Sequence, residues 1–244
     1  MPSAPQPLRA RKLRRAEASS SVAQFAKQTA DAPARALEYP DRGVEAMTPE
    51  HWNAEVDCTQ SLRSHYAHRD DVYVGSELTM YWLEGDEERW VQPDVFAAFG
   101  PSRDQQRTVW KSWEEGKFAD FVLEVASRGT HRRDLVEKHA LYESLGVTEY
   151  WQHDPTGKYL PPRLLGHRLN PAGAYVPVPL ETRPDGTRRG ESTVLSLHLC
   201  LDAGRLRLYD PATGKFLLTN QDKDRIIEDR ERMIQELQRR LADR

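Results

Sequence analysis

The chain has 244 residues, of which 38% are hydrophobic and 30% charged, with a net charge of -3 and a pI near 6.3. That length allows one large domain or two small ones, and the charge rules out a globally basic nucleic-acid binder, so any such contact must be local. No apolar run approaches the roughly 18 residues that span a bilayer, and no apolar core follows the N-terminal basic residues as in a secretory signal, so a cytoplasmic protein with no membrane partner is expected. Cys58 and Cys200, the only cysteines, are far apart and sit in no CxxC pattern, which argues against a thiolate zinc site or a disulfide framework.

Residues 1–45 are rich in Ala, Pro, Ser and Arg without a sustained apolar period and read as a disordered N-terminal arm. Arg9, Arg11, Lys12, Arg14 and Arg15 cluster there, either as a solvated tail or as a handhold on phosphates. Thr48-Pro49-Glu50 has the form of a helix start, with Trp52, Val56, Leu62 and Tyr66 following at roughly helical spacing. Glu55 lies on that helix, either exposed or reaching a site from the side.

Asp71–Val74 and Leu78–Trp82 are strand-like, with Gly75-Ser76 as a turn, and Trp90–Ala97 is a third strand carrying Asp94. Three successive strands imply a meander. Ser102–Gly116 reads as a loop or short helix, with Trp113-Glu114-Glu115-Gly116 either a lid or simple packing. Phe121–Val125 is an apolar strand with Glu124 in its middle, and an unpaired buried carboxylate there would be costly. A helix from about His131 to Leu145 stops at Gly146 and places Asp134, Lys138 and Tyr142 on one face. Val147–His153 is the next strand, so strand, helix and strand form a crossover and the sheet is mixed.

Short β segments separated by Pro and Gly turns follow: Leu164–Leu169, Ala174–Val178, Val194–Cys200 and Arg205–Tyr209. They read as an extension of the same domain, which spans 46–220. Residues 221–244 form a charged amphipathic helix with Ile226, Ile227, Met233, Ile234, Leu237 and Leu241 as its apolar stripe.

Two strand-like segments, each with one acid, point to Asp94 and Glu124 converging on one hard cation. Residues i and i+2 of a strand share a face, so Ala126 occupies the place where a sheet nuclease often puts a lysine. Lys138 could supply that ammonium from the following helix, and Ser127 and Tyr142 could support it. A buried salt bridge between Glu124 and Lys138 accounts for the same residues without a metal.

Val91–Phe96, Trp113–Lys117, Phe121–Ser127 with Thr130, Asp134 and Lys138, and Leu145–Trp151 together resemble the Uma-two family. Leu165–Leu169 and Leu206–Gly214 are similar to it as well, and the likeness covers roughly residues 48–220. These are bacterial restriction-endonuclease-type proteins of the PD-(D/E)XK nuclease superfamily, abundant in cyanobacteria. The resemblance implies an α/β restriction-endonuclease-like core, a mixed central sheet flanked by helices, with a β-rich C-terminal extension and a terminal helix. It implies hydrolysis of DNA phosphodiesters by an endonuclease that uses Mg2+ or Mn2+, with a homodimer as a possible assembly. Asp94 and Glu124 match the metal-binding acids and Lys138 the catalytic lysine. Ser127, Asp134, Tyr142 and, more loosely, Glu55 are supporting residues. The alternative is a catalytically degenerate DNA-binding or protein-interaction module on the same fold, in keeping with Ala126, the basic arm and the amphipathic tail.

Overall fold

The computed structural model describes residues 38–43, 47–129 and 134–242, and the side chains of Asp134 and Leu135 lie outside that description. The expected arm, with its five basic residues, lies outside the described residues as well, apart from residues 38–43.

The first helix, α1 (Pro49–His65), begins where its sequence signals place it. Thr48 is the N-cap, and its Oγ1 accepts a hydrogen bond from the His51 N–H at 3.3 Å. That satisfies one of the orphan donors at a helix start. Four strands follow: β1 (Val72–Gly75), β2 (Met80–Tyr81), β3 (Trp90–Val91) and β4 (Val95–Phe99). Next come β5 (Trp110–Lys111), the single turn α2 (Ser112–Glu115) and β6 (Phe121–Val125). A π-helical turn, Asp134–Lys138, runs into α3 (His139–Ser144), and β7 (Glu149–His153) closes the crossover. The remaining strands are β8 (Leu164–Leu169), β9 (Tyr175–Pro177), β10 (Glu181–Thr182), β11 (Arg188–Ser192), β12 (Leu197–Asp202), β13 (Arg205–Asp210) and β14 (Lys215–Phe216). The last element is α4 (Asn220–Ala242).

The fold is mixed α/β. Its main sheet has the order β1-β4-β6-β7-β8-β9. β6 and β7 are parallel, in register from Phe121 opposite Glu149 to Val125 opposite His153, and the other neighbours are antiparallel. The expected meander does not form. β1 pairs with β4, while β2 joins β3 and β5 in a separate three-stranded sheet. The reason is Pro93, which cannot donate to a ladder and splits the expected third strand into β3 and β4. Asp94 therefore sits on the bend between two sheets and not within a strand.

Alternation along the main sheet separates two cores. Val95, Ala97, Phe121, Leu123 and Trp151 face α1 and the five-stranded sheet β10-β14, meeting Cys58, Leu62, Leu197, Leu199 and Leu208. Phe96, Ala98, Val122 and Tyr150 face the other way, toward Tyr142 of α3, Trp110 and Met80. Trp151 is fully buried between strands that carry glycine for a steric reason. A Cβ on Gly166 would lie 2.7 Å from the Trp151 ring, and one on Gly190 would lie 2.7 Å from it too.

Candidate active site

The inner stripe of α1 is polar where a core-facing helix is ordinarily apolar. His51 and Glu55, four residues apart, are 5% and 3% exposed, whereas Trp52 is 53% exposed. Opposite them, the Gln92-Pro93-Asp94 bend is fastened to the β1–β2 loop. The Glu77 N–H donates to the Pro93 carbonyl at 3.1 Å, and the Gln92 side-chain amide donates to Thr79 Oγ1 at 3.0 Å. That amide also donates to the Gly43 carbonyl at 2.7 Å. Residues 39–43 thus brace the bend from outside: Tyr81 donates its hydroxyl to the Pro40 carbonyl, and the Arg42 N–H donates to Thr79 Oγ1. Glu77 has φ +51°, a left-handed conformation that is rare for a residue with a side chain and that collects at functional sites.

Asp94 Oδ2 accepts the Val125 N–H at 2.5 Å, which ties the bend to the end of β6 one residue beyond Glu124. Glu124 shares a face with Val122 and points at the crossover. Its Oε2 lies 2.6 Å from Lys138 Nζ, and its Oε1 accepts the Tyr142 hydroxyl at 2.7 Å. Lys138 Nζ also reaches the Gln92 carbonyl at 3.4 Å. The π-helical turn matters here, because it ends at Lys138 and delivers that ammonium into the cluster as α3 begins. His51 Nε2 is 3.4 Å from Asp94 Oδ2, and it makes no hydrogen bond of good geometry. His51, Glu77, Asp94, Ser127, Arg128 and Lys138 line a cleft of about 500 Å³, and Glu124 and Tyr142 are buried behind Lys138.

Burial and crowding of like charge shape the electrostatics. Burial, reinforced by the Asp94 charge, pushes the Glu55 carboxyl up to about 7. Burial with the charges of Asp94 and Glu55 pushes Glu77 up to about 8. For Asp94 burial acts upward too, but His51, Lys138 and the Val125 N–H together outweigh it and hold the carboxyl below its ordinary value. For His51 burial acts downward, and the contact and charge of Asp94 reverse it, so the imidazole binds its proton more tightly than usual. Carboxyls whose environments drive them apart in this way are characteristic of functional sites.

Of the expected site residues, Asp94, Glu124, Lys138 and Tyr142 come together, Ser127 lines the cleft, and Glu55 stands behind it. Asp134 begins the π-helical turn, and its side chain lies outside the described residues. Two residues at the site were not anticipated: His51 and Glu77. His51 had a signal, since His51, Glu55, Cys58 and Leu62 recur at three- and four-residue spacing and mark the buried stripe better than Trp52 and Val56 do. Glu77 had none, because only the folded loop brings it beside Asp94. Among the described residues, His51, Glu77 and Asp94 form a group that could hold a metal ion, with their ligand atoms all within 4.8 Å of one another. Carboxylates with one imidazole are a suitable donor set for a divalent cation. Glu124 accepts hydrogen bonds from Lys138 and Tyr142.

Five chains of known structure match this one. One is described as a putative nuclease belonging to DUF820 from Anabaena variabilis, at 13% identity and a TM-score of 0.44, over 62% of this chain and 76% of that one. None of the curated proteins matches. Residues 22–201 match the Uma2 family, described as "Putative restriction endonuclease". That match spans most of the chain, including the Asp94 bend, β6 and the crossover, and the chain belongs to the Uma2 family.

Proposed function

We propose that the cleft at the end of β6 is the active site of a divalent-metal-dependent endonuclease acting on DNA phosphodiester bonds. The observation that carries this reading is that Asp94 and Lys138 line one cleft, from a bend and a crossover, with Glu124 of β6 hydrogen-bonded behind Lys138, in a chain of the Uma2 family. Asp94 is the central ligand for Mg2+ or Mn2+. The cation supplies Lewis-acid polarisation of the phosphodiester and an acidified water. Glu124 and Tyr142 fix the position of the Lys138 ammonium, which lies where it can balance negative charge gathering on the phosphoryl oxygens. Ser127 and the exposed Arg128 stand at the cleft wall, placed to meet phosphate oxygens of the strand. Cutting both strands of a duplex calls for two such sites, which a homodimer would supply.

A second reading has its own observation. Both Glu124 oxygens are engaged by Lys138 and Tyr142, which suits a binding module that keeps the fold without the chemistry. One experiment separates the two. Mn2+ and Mg2+ are titrated calorimetrically into wild type and Asp94→Asn, and supercoiled and linear DNA are then incubated with each protein and each metal. The nuclease reading expects metal binding and DNA nicking that are both lost in a folded Asp94→Asn. DNA binding without metal, unaffected by Asp94→Asn and unaccompanied by cleavage, would replace it with the module.

A further inference from the structure

The cleft contains a donor that an all-oxygen magnesium site does not need. His51 is 5% exposed, points its Nε2 at Asp94 Oδ2 from 3.4 Å, and leaves that nitrogen without a hydrogen bond. A buried imidazole whose only near partner is a carboxylate beyond good hydrogen-bond geometry is destabilising, so its presence on the inner face of α1 wants a reason. Glu77 approaches from another element, the β1–β2 loop, in a left-handed conformation fastened to the Pro93 carbonyl. Asp94 completes a triangle of ligand atoms whose sides are all under 4.8 Å. Donors bound at roughly 2.0–2.2 Å sit about 3–3.5 Å apart when adjacent on one ion, so the side chains would draw together on binding wherever a side of the triangle approaches its limit.

We propose that His51 Nε2, Glu77 and Asp94 are the ligands of one divalent transition ion, and that this site takes Mn2+ ahead of Mg2+. The chemical ground is the imidazole. Mg2+ demands oxygen donors in a near-ideal octahedron and gives up water reluctantly. Imidazole nitrogen favours first-row transition ions, while the two carboxylates, bound waters and a phosphate oxygen keep the site within reach of Mn2+. The carboxylates come from two loops and the imidazole from α1, so the ion would also join α1 to the Asp94 bend. This inference refines the nuclease reading by naming the cation, and it rests on that reading for the role of the ion in cleavage.

The test is electron-spin-echo spectroscopy of Mn2+ bound to the whole chain, with Mg2+ competition read in the same samples. Wild type is expected to show a nitrogen coupling from a directly bound imidazole, shifted to the 15N frequency when the histidines are 15N-labelled. His51→Gln is expected to abolish the coupling. It should weaken Mn2+ by at least the roughly 10- to 100-fold that loss of a mere supporting residue costs, and Mg2+ much less. Glu77→Gln, on a loop outside the helix, is expected to weaken Mn2+ by a similar factor and to keep the coupling. Circular dichroism establishes that each variant is folded, and the wild-type spectrum decides the question even if His51→Gln is not. Mn2+ bound without nitrogen coupling, or displaced by an equal concentration of Mg2+, would overturn the proposal. The nuclease reading fails separately: nitrogen coupling intact with no cleavage of any DNA would keep the ion site and sink the enzyme. Cleavage lost in Asp94→Asn with no nitrogen coupling in wild type would do the reverse.

Discussion

Beside its proposed catalytic role, Lys138 is the buried counter-charge of Glu124, and a double-mutant cycle measures that pairing. Its ammonium lies 2.6 Å from Glu124 Oε2, with Lys138 5% and Glu124 1% exposed. Removing one partner of a buried pair leaves the other charge in a poor solvent and costs about 3–5 kcal/mol. Lys138→Met keeps the length of the side chain and deletes only the charge, so it isolates that effect. Glu124→Gln is the reciprocal change and should cost a similar amount, because Tyr142 then faces an amide. The double variant removes both charges together. It should be destabilised by far less than the sum of the two, with a coupling energy of about 3 kcal/mol, at the upper end for contacting residues. In a domain of this size 1 kcal/mol moves Tm by about 2–4 °C, so Lys138→Met should lower it by roughly 6–20 °C. Urea unfolding followed by the fluorescence of buried Trp110 and Trp151 gives the free energies, and an unchanged slope confirms that the same transition is compared. If Lys138→Met is neutral or stabilising, the ammonium is not held as the counter-charge of Glu124. Lys138 would then be a purely catalytic group tolerated at the expense of stability.

Two further outcomes follow from residues outside the cleft. Asp154, fully buried after β7, accepts five hydrogen bonds from Thr156, Gly157, Tyr159 and Leu160. Burial acts upward on its carboxyl, yet those donors prevail and bring it down to about 2. A carboxyl depressed on folding stabilises above its unfolded value near 3.8 and loses that contribution as pH falls toward 2. About 2 kcal/mol should therefore disappear across that window in wild type and be missing from Asp154→Ala at every pH, as read by acid titration of the unfolding free energy. Gly166→Ala should cost on the order of 1–3 kcal/mol, because the added Cβ meets the Trp151 ring at 2.7 Å in a filled core. A Gly166→Ala protein with unchanged Tm would show that the ring can move aside.

Local chemistry in the sequence was enough for several elements. Thr48-Pro49 marks the start of α1, the parallel crossover from β6 to β7 follows from strand, helix and strand, and the charged pattern from Asn220 gives α4. A lone Glu124 in an apolar strand declares that it needs a partner, and Lys138 on the following segment is the nearest candidate. Spacing alone did not reveal which acids share a site, because Glu77, Asp94 and His51 come from three separate segments. Pro93 is the hinge of that difference. It breaks what reads as one strand into two, sends β2 and β3 to a separate sheet, and swings Asp94 onto the Val125 amide and toward α1. Hydrophobic periodicity found Leu62 and Tyr66 in the core but missed the first half of the buried stripe of α1, where His51 and Glu55 are buried in place of Trp52, because polar residues are buried only where other segments supply their partners. The sequence by itself determined the start of α1, the β6-to-β7 crossover, the terminal helix and the pairing need of Glu124, all local properties of the chain. Tertiary structure alone decided which side chains gather beside Asp94, because bringing an imidazole and two carboxylates within 4.8 Å requires closure of the sheets around them.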